Sequence, residues 1–217
     1  MEKFRRFAAG VSSYDTEQSL LETLSGEFKG NAYTQTGTAF HNIVELGEAA
    51  FKYDTQGFVV SSDNVQVLMD KAQILEALNY RYDMAGAVYE TPIGRDYNEG
   101  IFPIHVTGRV DVIHGSDVRD IKTKYSESHA EDYMDSYQWR LYLEILEADR
   151  FYFDVFEFKR YDKDRNGIDV RGLPLVRTIP VECLRYDDME RDNLMLIDNF
   201  REYIHSKNLY HLLKTKQ

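Results

Sequence analysis

The sequence predicts an α/β protein in which a mixed central β-sheet is flanked by helices. Three observations favour this class: a hairpin-like segment at residues 101–123, a helical segment at 128–146 and an aromatic strand-like segment at 150–159. With a helix predicted upstream, the order is helix, three strands, helix, strand, which is neither all-α nor all-β. We expect residues 1–217 to form a single domain with its core at about residues 37–160.

The N-terminal part of the chain is predicted to be helical, with polar turns between the helices. A short helix is expected at residues 15–24, a polar turn region at 30–37, and a longer helix at 38–51 with apolar residues at helical spacing. Ser62 or Asp63 is expected to cap a further helix. Its inward-facing residues would be Val65, Leu68, Met69, Ala72 and Leu75.

Strands are predicted next, at residues 87–93, 101–113 and 118–123, with a turn at 96–100. The helix at 128–146 and the strand at 150–159 follow. The dipeptide Asn166–Gly167 is a hairpin turn signal. The chain should therefore end with a returning strand at 170–181 and a helix at 187–213.

The loop at Gly115–Ser116 predicts the register of the central hairpin. Glycine at the first of two loop positions is typical of a type II′ turn. Such a loop pairs His114 with Asp117 and, three residues further along the strand, Asp111 with Asp120. Directly opposed carboxylates repel each other unless a cation lies between them.

Lys122 lies two residues beyond Asp120 and so points to the same face of the predicted strand. This arrangement predicts a divalent-metal site with a lysine beside it. The alternative is that Asp120 and Lys122 are ordinary solvated surface charges. A cleft-facing lysine supports little core packing, so we expect its substitution to affect chemistry more than folding.

Two predicted helices carry further polar candidates. His41 lies at the edge of the apolar stripe of the first long helix, where it could be a ligand or a satisfied structural histidine. Gln138 and Tyr142 share one helix face because they are four residues apart. Considered separately, Gln138 would be an ordinary surface residue and Tyr142 would pack in the hydrophobic core. Together they could hold a phosphate or orient Lys122.

Four segments then occur in a characteristic order. They are Gly37–Thr–Ala–Phe–His41, Gly108–Arg–Val–Asp111, Asp120–Ile–Lys122 and Tyr137–Gln138 followed by Tyr142. The ordered set resembles the RecB-type, lambda-exonuclease-like branch of the PD-(D/E)XK nuclease superfamily. The resemblance implies a restriction-endonuclease-like αβββαβ core, here with an added C-terminal hairpin and helix, and phosphodiester hydrolysis that depends on Mg²⁺ or Mn²⁺.

The resemblance also implies roles for individual residues. Asp111 and Asp120 would ligate the metal, the Ile121 carbonyl would add an oxygen, and His41 would be a further ligand or a neighbour of one. Lys122 would position or activate the attacking water. The remaining candidates are Gln138 and Tyr142 as an accessory catalytic motif, Glu90 as a weaker accessory residue, and Arg109, Lys124 and Arg140 as substrate-binding cations.

The sequence departs from the family pattern at three points, which concern the third motif, the iron–sulfur cluster and the helicase motif. The third motif has Asp120 where glutamate is commoner. The chain has one cysteine, Cys183, which excludes a Cys-ligated iron–sulfur cluster and an internal disulfide. It contains no phosphate-binding helicase motif. A separate recombinase, helicase or single-strand-binding partner would therefore supply any such activity.

Composition limits the class of protein. The formal net charge of −11 disfavours nonspecific nucleic-acid binding by the whole surface but permits a local basic groove. No apolar run reaches the roughly 20 residues that span a bilayer, so we expect a cytoplasmic protein without a membrane partner. Homo-oligomer formation is left open.

The leading hypothesis is a metal-dependent DNA nuclease, more specifically an exonuclease of recombination, repair or phage replication. A restriction-like or nicking endonuclease would share the same core. A noncatalytic binding or inhibitor protein on a nuclease scaffold is the third alternative. The net charge favours it, whereas the retained Asp111, Asp120 and Lys122 oppose it.

Overall fold

The computed structural model describes residues 1–27, 32–55, 57–62, 65–160 and 169–213. Its N-terminal part holds helices and a small antiparallel sheet whose strand order is β1-β2-β3. The elements are α1 (Glu2–Ala8), α2 (Glu17–Ser25), α3 (Ala32–Leu46), β1 (Phe51–Asp54), β2 (Gly57–Ser62), β3 (Val65–Met69) and α4 (Lys71–Asp83). A 3₁₀ turn, Gly47–Ala50, joins α3 to β1.

A five-stranded mixed sheet follows, with helices on both faces, and this confirms the predicted fold class. Its elements are β4 (Val88–Tyr97), β5 (Ile104–His114), β6 (Asp117–Lys124), α5 (Glu131–Met134), α6 (Tyr137–Leu146), β7 (Arg150–Phe158), β8 (Leu175–Leu184) and α7 (Met189–Ser206). A 3₁₀ turn, Tyr210–Leu212, follows α7.

The strand order is β4-β5-β6-β7-β8. Only the β6–β7 pair is parallel among these neighbours, and α5 and α6 form the crossover between its two strands. The elements α3, β4, β5, β6, α6 and β7 occur in the expected αβββαβ order. Strand β8 and helix α7 are the added C-terminal elements.

Several predicted elements were wrong in the N-terminal half. Residues 65–69 form a strand rather than a helix, because Val67 and Met69 are buried while Gln66 is exposed and Leu68 is partly exposed. Helix α4 begins only after Asp70, which forms a capping box with Gln73. Residues 32–37 of the predicted turn region belong to α3. Gly30 and Asp63 lie outside the described residues.

The C-terminal half needs smaller corrections. The segment predicted as one helix at 128–146 contains α5 and α6, since Ser136 caps α6 with its side chain. The returning strand is shifted to β8, and the final helix is interrupted after Ser206. Asn166–Gly167 lies outside the described residues. Across the described ranges, no helix is both long enough and apolar enough to cross a bilayer.

Apolar clusters cover both faces of the central sheet. On the α3 and α4 face, Val112 and Ile121 pack with Phe40. On the α6 face, Val110 packs with Leu143. Strict alternation along a strand places residues i and i+2 on the same face. Since Val110 and Val112 contact opposite clusters, β5 is irregular at the residue between them, Asp111.

A buried polar network fastens α4 to the sheet. Tyr80 donates a hydrogen bond to Asp154 Oδ2 at 2.6 Å, and Arg119 contacts both oxygens of Asp154 at 3.0 and 3.1 Å. The Asp154 side chain is 6% exposed, so its charge is compensated almost entirely by Arg119 and Tyr80. The network ties strands β6 and β7, and hence the site described next, to helix α4.

Candidate metal centre

The loop between β5 and β6 has the predicted register only over its first pairs. Gly115 has φ +60, as the turn requires, and the pairs His114–Asp117, Ile113–Val118 and Val112–Arg119 are present. The ladder then ends. The predicted Asp111–Asp120 pair is not part of it. Instead, the backbone N–H of Ile121 donates to Asp111 Oδ2 at 2.7 Å, so a side chain replaces a strand partner.

Glu90 lies opposite Asp111 on β4. The neighbouring pairs are Tyr89–Val112 and Thr91–Val110, and Glu90 and Asp111 fall between them without pairing. Glu90 has φ +50, a left-handed conformation that is uncommon for a residue with a side chain. Backbone strain of this kind persists where surrounding structure enforces it, and it clusters at functional sites. Both strands are therefore irregular at one point, where two carboxylates meet.

His41 completes a group of three metal-ligating side chains. One ligand atom from each of His41, Glu90 and Asp111 lies within 4.8 Å of the other two. His41 Nδ1 is 3.6 Å from Asp111 Oδ2, and Nε2 is 2.9 Å from the Ile121 carbonyl oxygen. Because a carbonyl only accepts, the Nε2–H of a neutral ring donates to it. The lone pair on Nδ1 then faces the carboxylates, as a metal ligand requires.

Asp120 and Lys122 form an ion pair beside this group. Lys122 Nζ lies 2.6 Å from Asp120 Oδ2, and the Asp120 side chain is 4% exposed. Gln138 Nε2 donates to Asp120 Oδ1, while Gln138 Oε1 lies 3.4 Å from Lys122 Nζ. Gln138 thus holds both charged groups. Asp120 does not belong to the compact group of three, and its predicted role as a ligand stays a prediction, as does that of the Ile121 carbonyl.

Tyr142 is positioned by backbone groups of β5. Its hydroxyl donates to the Arg109 carbonyl at 2.9 Å and accepts from the Arg109 N–H at 3.2 Å. The ring crosses Gly108, where an added Cβ would lie 2.7 Å from Tyr142 Cε1. Gly108 is therefore required because α6 places an aromatic ring directly on the strand that carries Asp111.

A Gly108→Ala substitution should displace Tyr142 and destabilise the protein by about 1–3 kcal/mol, the usual cost of overpacking. Chemical denaturation would measure this. In a Tyr142→Ala background the clash is absent, so the same substitution should cost much less, which a double-mutant cycle tests. Equal costs in the two backgrounds would contradict the close contact.

The pKa shifts of the ionisable groups in this site are those expected of a site for a cation. Burial, followed by the nearby Asp120 charge, raises the pKa of Asp111. Burial and then Glu45 raise the pKa of Glu90, and burial lowers the pKa of His41 to about 4. Burial opposes the charge of Lys122, but Asp120 outweighs it and raises the lysine pKa. Negative charge is crowded in a poorly solvated site, and a divalent cation would relieve this.

The predicted substrate-binding cations divide into two groups. The side chain of Arg109 is 68% exposed and lies 3.6 Å from Glu90, and Lys124 lines the same cleft as Lys122. Arg140 does not approach the carboxylates, and the expectation that it lines the site was wrong. Its guanidinium lies over the rings of Tyr137, Trp139 and Tyr186. Two residues beyond Gln138 on α6, it faces away from the cleft.

Glu90 was predicted only as a weaker accessory residue, but it belongs to the group of three potential metal ligands. The only sequence signal was an acidic residue on the strand before the hairpin. Which residue of β5 lies opposite Glu90 depends on the β4–β5 register. The six-residue connection between Tyr97 and Ile104 is too long to determine that register from the sequence.

No family model and no curated protein matches this chain. Among solved structures, a phage-related exonuclease from Haemophilus somnus 129PT is 14% identical, over 94% of this chain and 88% of that one, with a TM-score of 0.43. The protein SSO0001 is 16% identical, over 82% of this chain and 85% of that one, with a TM-score of 0.34. Both TM-scores lie below 0.5, so neither likeness bears on the function of this chain.

Proposed function

We propose that this protein is a divalent-metal-dependent DNA nuclease that hydrolyses phosphodiester bonds, more specifically an exonuclease of recombination, repair or phage replication. One observation carries the proposal. Ligand atoms of His41, Glu90 and Asp111 lie within 4.8 Å of one another, and a buried carboxylate–lysine pair, Asp120–Lys122, lies beside them. This combination provides both a metal site and a fixed positive charge.

The donor set fits a hard cation. Carboxylate oxygens favour Mg²⁺ or Mn²⁺, and a histidine nitrogen is compatible with Mn²⁺. His41, Glu90 and Asp111 would hold the ion, with Asp120 as a further oxygen, while the Ile121 carbonyl would orient the His41 ring by accepting its Nε2–H. A bound divalent ion supplies positive charge to a phosphate oxygen and lowers the pKa of water.

The remaining residues act on the substrate and on water. Lys122 carries a positive charge next to the place where the scissile phosphate would lie, and it would stabilise the negative charge that builds in the transition state. Gln138 holds both Asp120 and Lys122, so it restricts where that charge points. Tyr142 fixes the Arg109 backbone and so steadies the strand that carries Asp111.

Cleavage assays would test this function. Linear duplex, covalently closed circular duplex and single-stranded DNA are incubated with Mg²⁺, with Mn²⁺ or with EDTA. We expect degradation of linear DNA with either metal, none in EDTA, and little cleavage of the closed circle. A Lys71→Ala variant, which removes an exposed lysine outside the site, is the control and should cut like the wild type.

Each alternative has its own result. Efficient cutting of the closed circle would instead identify an endonuclease. A folded wild-type protein that cuts no DNA with either metal would contradict the proposal and favour a noncatalytic binding or inhibitor protein.

A further inference from the structure

Two clefts meet at Lys122 and Lys124, and they differ in charge. The first, of about 640 Å³, lies between the start of α3 and the end of β6. Among the described residues, its charged lining residues are Lys122, Lys124 and Arg160, with His41 beside them, and none of the described lining residues has a carboxylate. The second cleft, of about 630 Å³, runs toward α1. Its acidic lining residues are Glu2, Glu131, Asp132 and Asp135.

The two arginines of the second cleft are already compensated. Arg5 pairs with Glu2 at 2.6 Å, and Arg6 pairs with Asp15 at 2.9 Å. The first cleft is different. Lys124 and Arg160 are exposed, and neither forms an ion pair with any residue in the described ranges. In a chain with 37 acidic and 26 basic residues, two such cations that line one cleft favour an anionic ligand there.

The first cleft also begins at the metal centre. His41 of the metal centre and Lys122 beside it are among the residues that line this cleft. Helix α3 approaches β6 closely at this cleft because Gly37 has no side chain, and a Cβ there would lie 3.1 Å from Thr123 Oγ1. An anionic ligand bound in this cleft would therefore lie beside His41 of the metal centre.

The walls offer groups that suit a nucleotide chain. Hydroxyls of Thr34, Thr38 and Ser126 line the cleft, and hydroxyl groups commonly contact phosphate and sugar. Tyr33 is 37% exposed and presents an aromatic ring. A cationic groove with an aromatic side chain is the usual arrangement for holding single-stranded nucleic acid. The volume of about 640 Å³ lies in the range of sites for small ligands, which corresponds to a nucleotide or two.

We infer that this cleft holds a single strand of the DNA substrate next to the scissile phosphate, so that the strand to be cut is unpaired there even when the rest of the substrate is duplex. The inference rests on the proposed nuclease function. Lys124 and Arg160 would contact phosphates of this strand, and the acidic second cleft would repel it.

The test uses the variants Lys124→Ala, Arg160→Ala and their double, with Lys71→Ala as the matched control. Fluorescence anisotropy in EDTA, where cleavage cannot occur, follows binding of a short oligothymidylate and of a blunt hairpin duplex at several salt concentrations. Each cleft variant should lower the salt slope for the single strand by about 0.7, the value per lost phosphate contact. The double variant should bind the single strand on the order of tenfold more weakly, and Lys71→Ala should not change it.

Two results would overturn the inference. One is a double variant that binds the single strand like Lys71→Ala. The other is an equal loss for the hairpin duplex, which would mean that the cations contact duplex DNA. Thermal unfolding, with Lys124→Gln as a milder variant, verifies that binding losses are not folding losses. If either result is found and the wild type still cuts and binds DNA, only this inference fails and the nuclease proposal stands. If the wild type neither cuts nor binds DNA, the nuclease proposal itself fails.

Discussion

An Asp111→Asn protein is expected to lose DNA cleavage by on the order of 10²-fold or more while its metal-free form becomes more stable than the wild type. The loss follows because Asp111 is the carboxylate shared by the group of three and by the Ile121 hydrogen bond. The gain follows because the charged carboxylate is buried near Asp120, whereas a neutral amide is not penalised. The amide oxygen still accepts from the Ile121 N–H.

The stability gain should depend on pH. The pKa of Asp111 is raised in the folded protein, so folding disfavours its ionised form. This penalty is absent below the ordinary pKa of an aspartate, grows as the pH rises, and is complete above the raised pKa. One pKa unit corresponds to about 1.36 kcal/mol, and 1 kcal/mol shifts the Tm of a protein of this size by about 2–4 °C.

Melting curves in EDTA would measure this effect. The Tm advantage of Asp111→Asn over the wild type should be clear near about pH 8 and should shrink toward about pH 5. Added Mg²⁺ should stabilise the wild type and leave the variant unchanged. Asp111→Ala serves as the control, because it also loses the hydrogen bond to Ile121. An Asp111→Asn protein that Mg²⁺ stabilises as strongly as the wild type would remove Asp111 from the metal site.

A Lys122→Ala protein should cleave DNA on the order of 10²-fold or more slowly, the size of losing one preorganised electrostatic group. The structure changes the accompanying expectation about folding. Lys122 Nζ lies 2.6 Å from Asp120, whose side chain is 4% exposed, so the substitution leaves a buried carboxylate without its cation. We therefore expect a loss of about 1–3 kcal/mol in the metal-free protein. A fully buried pair would cost more, but the lysine side chain is 33% exposed.

Divalent metal separates the two consequences. Mg²⁺ should restore much of the lost stability, because it supplies positive charge beside Asp120, but it should not restore cleavage. Lys122→Arg is the matched variant, since it keeps the charge and changes the geometry; it should recover stability and only part of the rate. Single-turnover assays and melting curves, each with and without Mg²⁺, give these values. A Lys122→Ala protein that cuts at the wild-type rate would exclude the lysine from the chemistry.

Features that depend on short stretches of chain could be predicted from the sequence. The two-residue loop at Gly115–Ser116 determines the first pairs of the β5–β6 hairpin, because a tight turn leaves one register. Gln138 and Tyr142 share a helix face because a helix repeats every 3.6 residues, and both do face the strands that carry the acidic residues. The residues of these motifs therefore came close together largely as expected.

Predictions from local patterns were wrong where both the helical and the strand period fit the same apolar residues. Residues 65–75 contain apolar side chains that match helical spacing, yet β3 uses Val67 and Met69 on one face and α4 starts only at Lys71. Short apolar runs do not distinguish a strand from a helix. Strand β3 was mistaken for a helix for this reason, and the small sheet that it forms with β1 and β2 lies between α3 and β4 in the chain.

The geometry of the metal centre was decided by tertiary structure. Glu90 meets Asp111 only because β4 and β5 pair across a six-residue connection and both strands are irregular at that point. Arg140 turns to aromatic rings that include Tyr186, more than forty positions later in the sequence, instead of to the carboxylates. Sequence specifies the chemistry of side chains and their local spacing. Which side chains converge depends on register, strand distortion and packing between distant segments, and these are settled by the free energy of the whole fold.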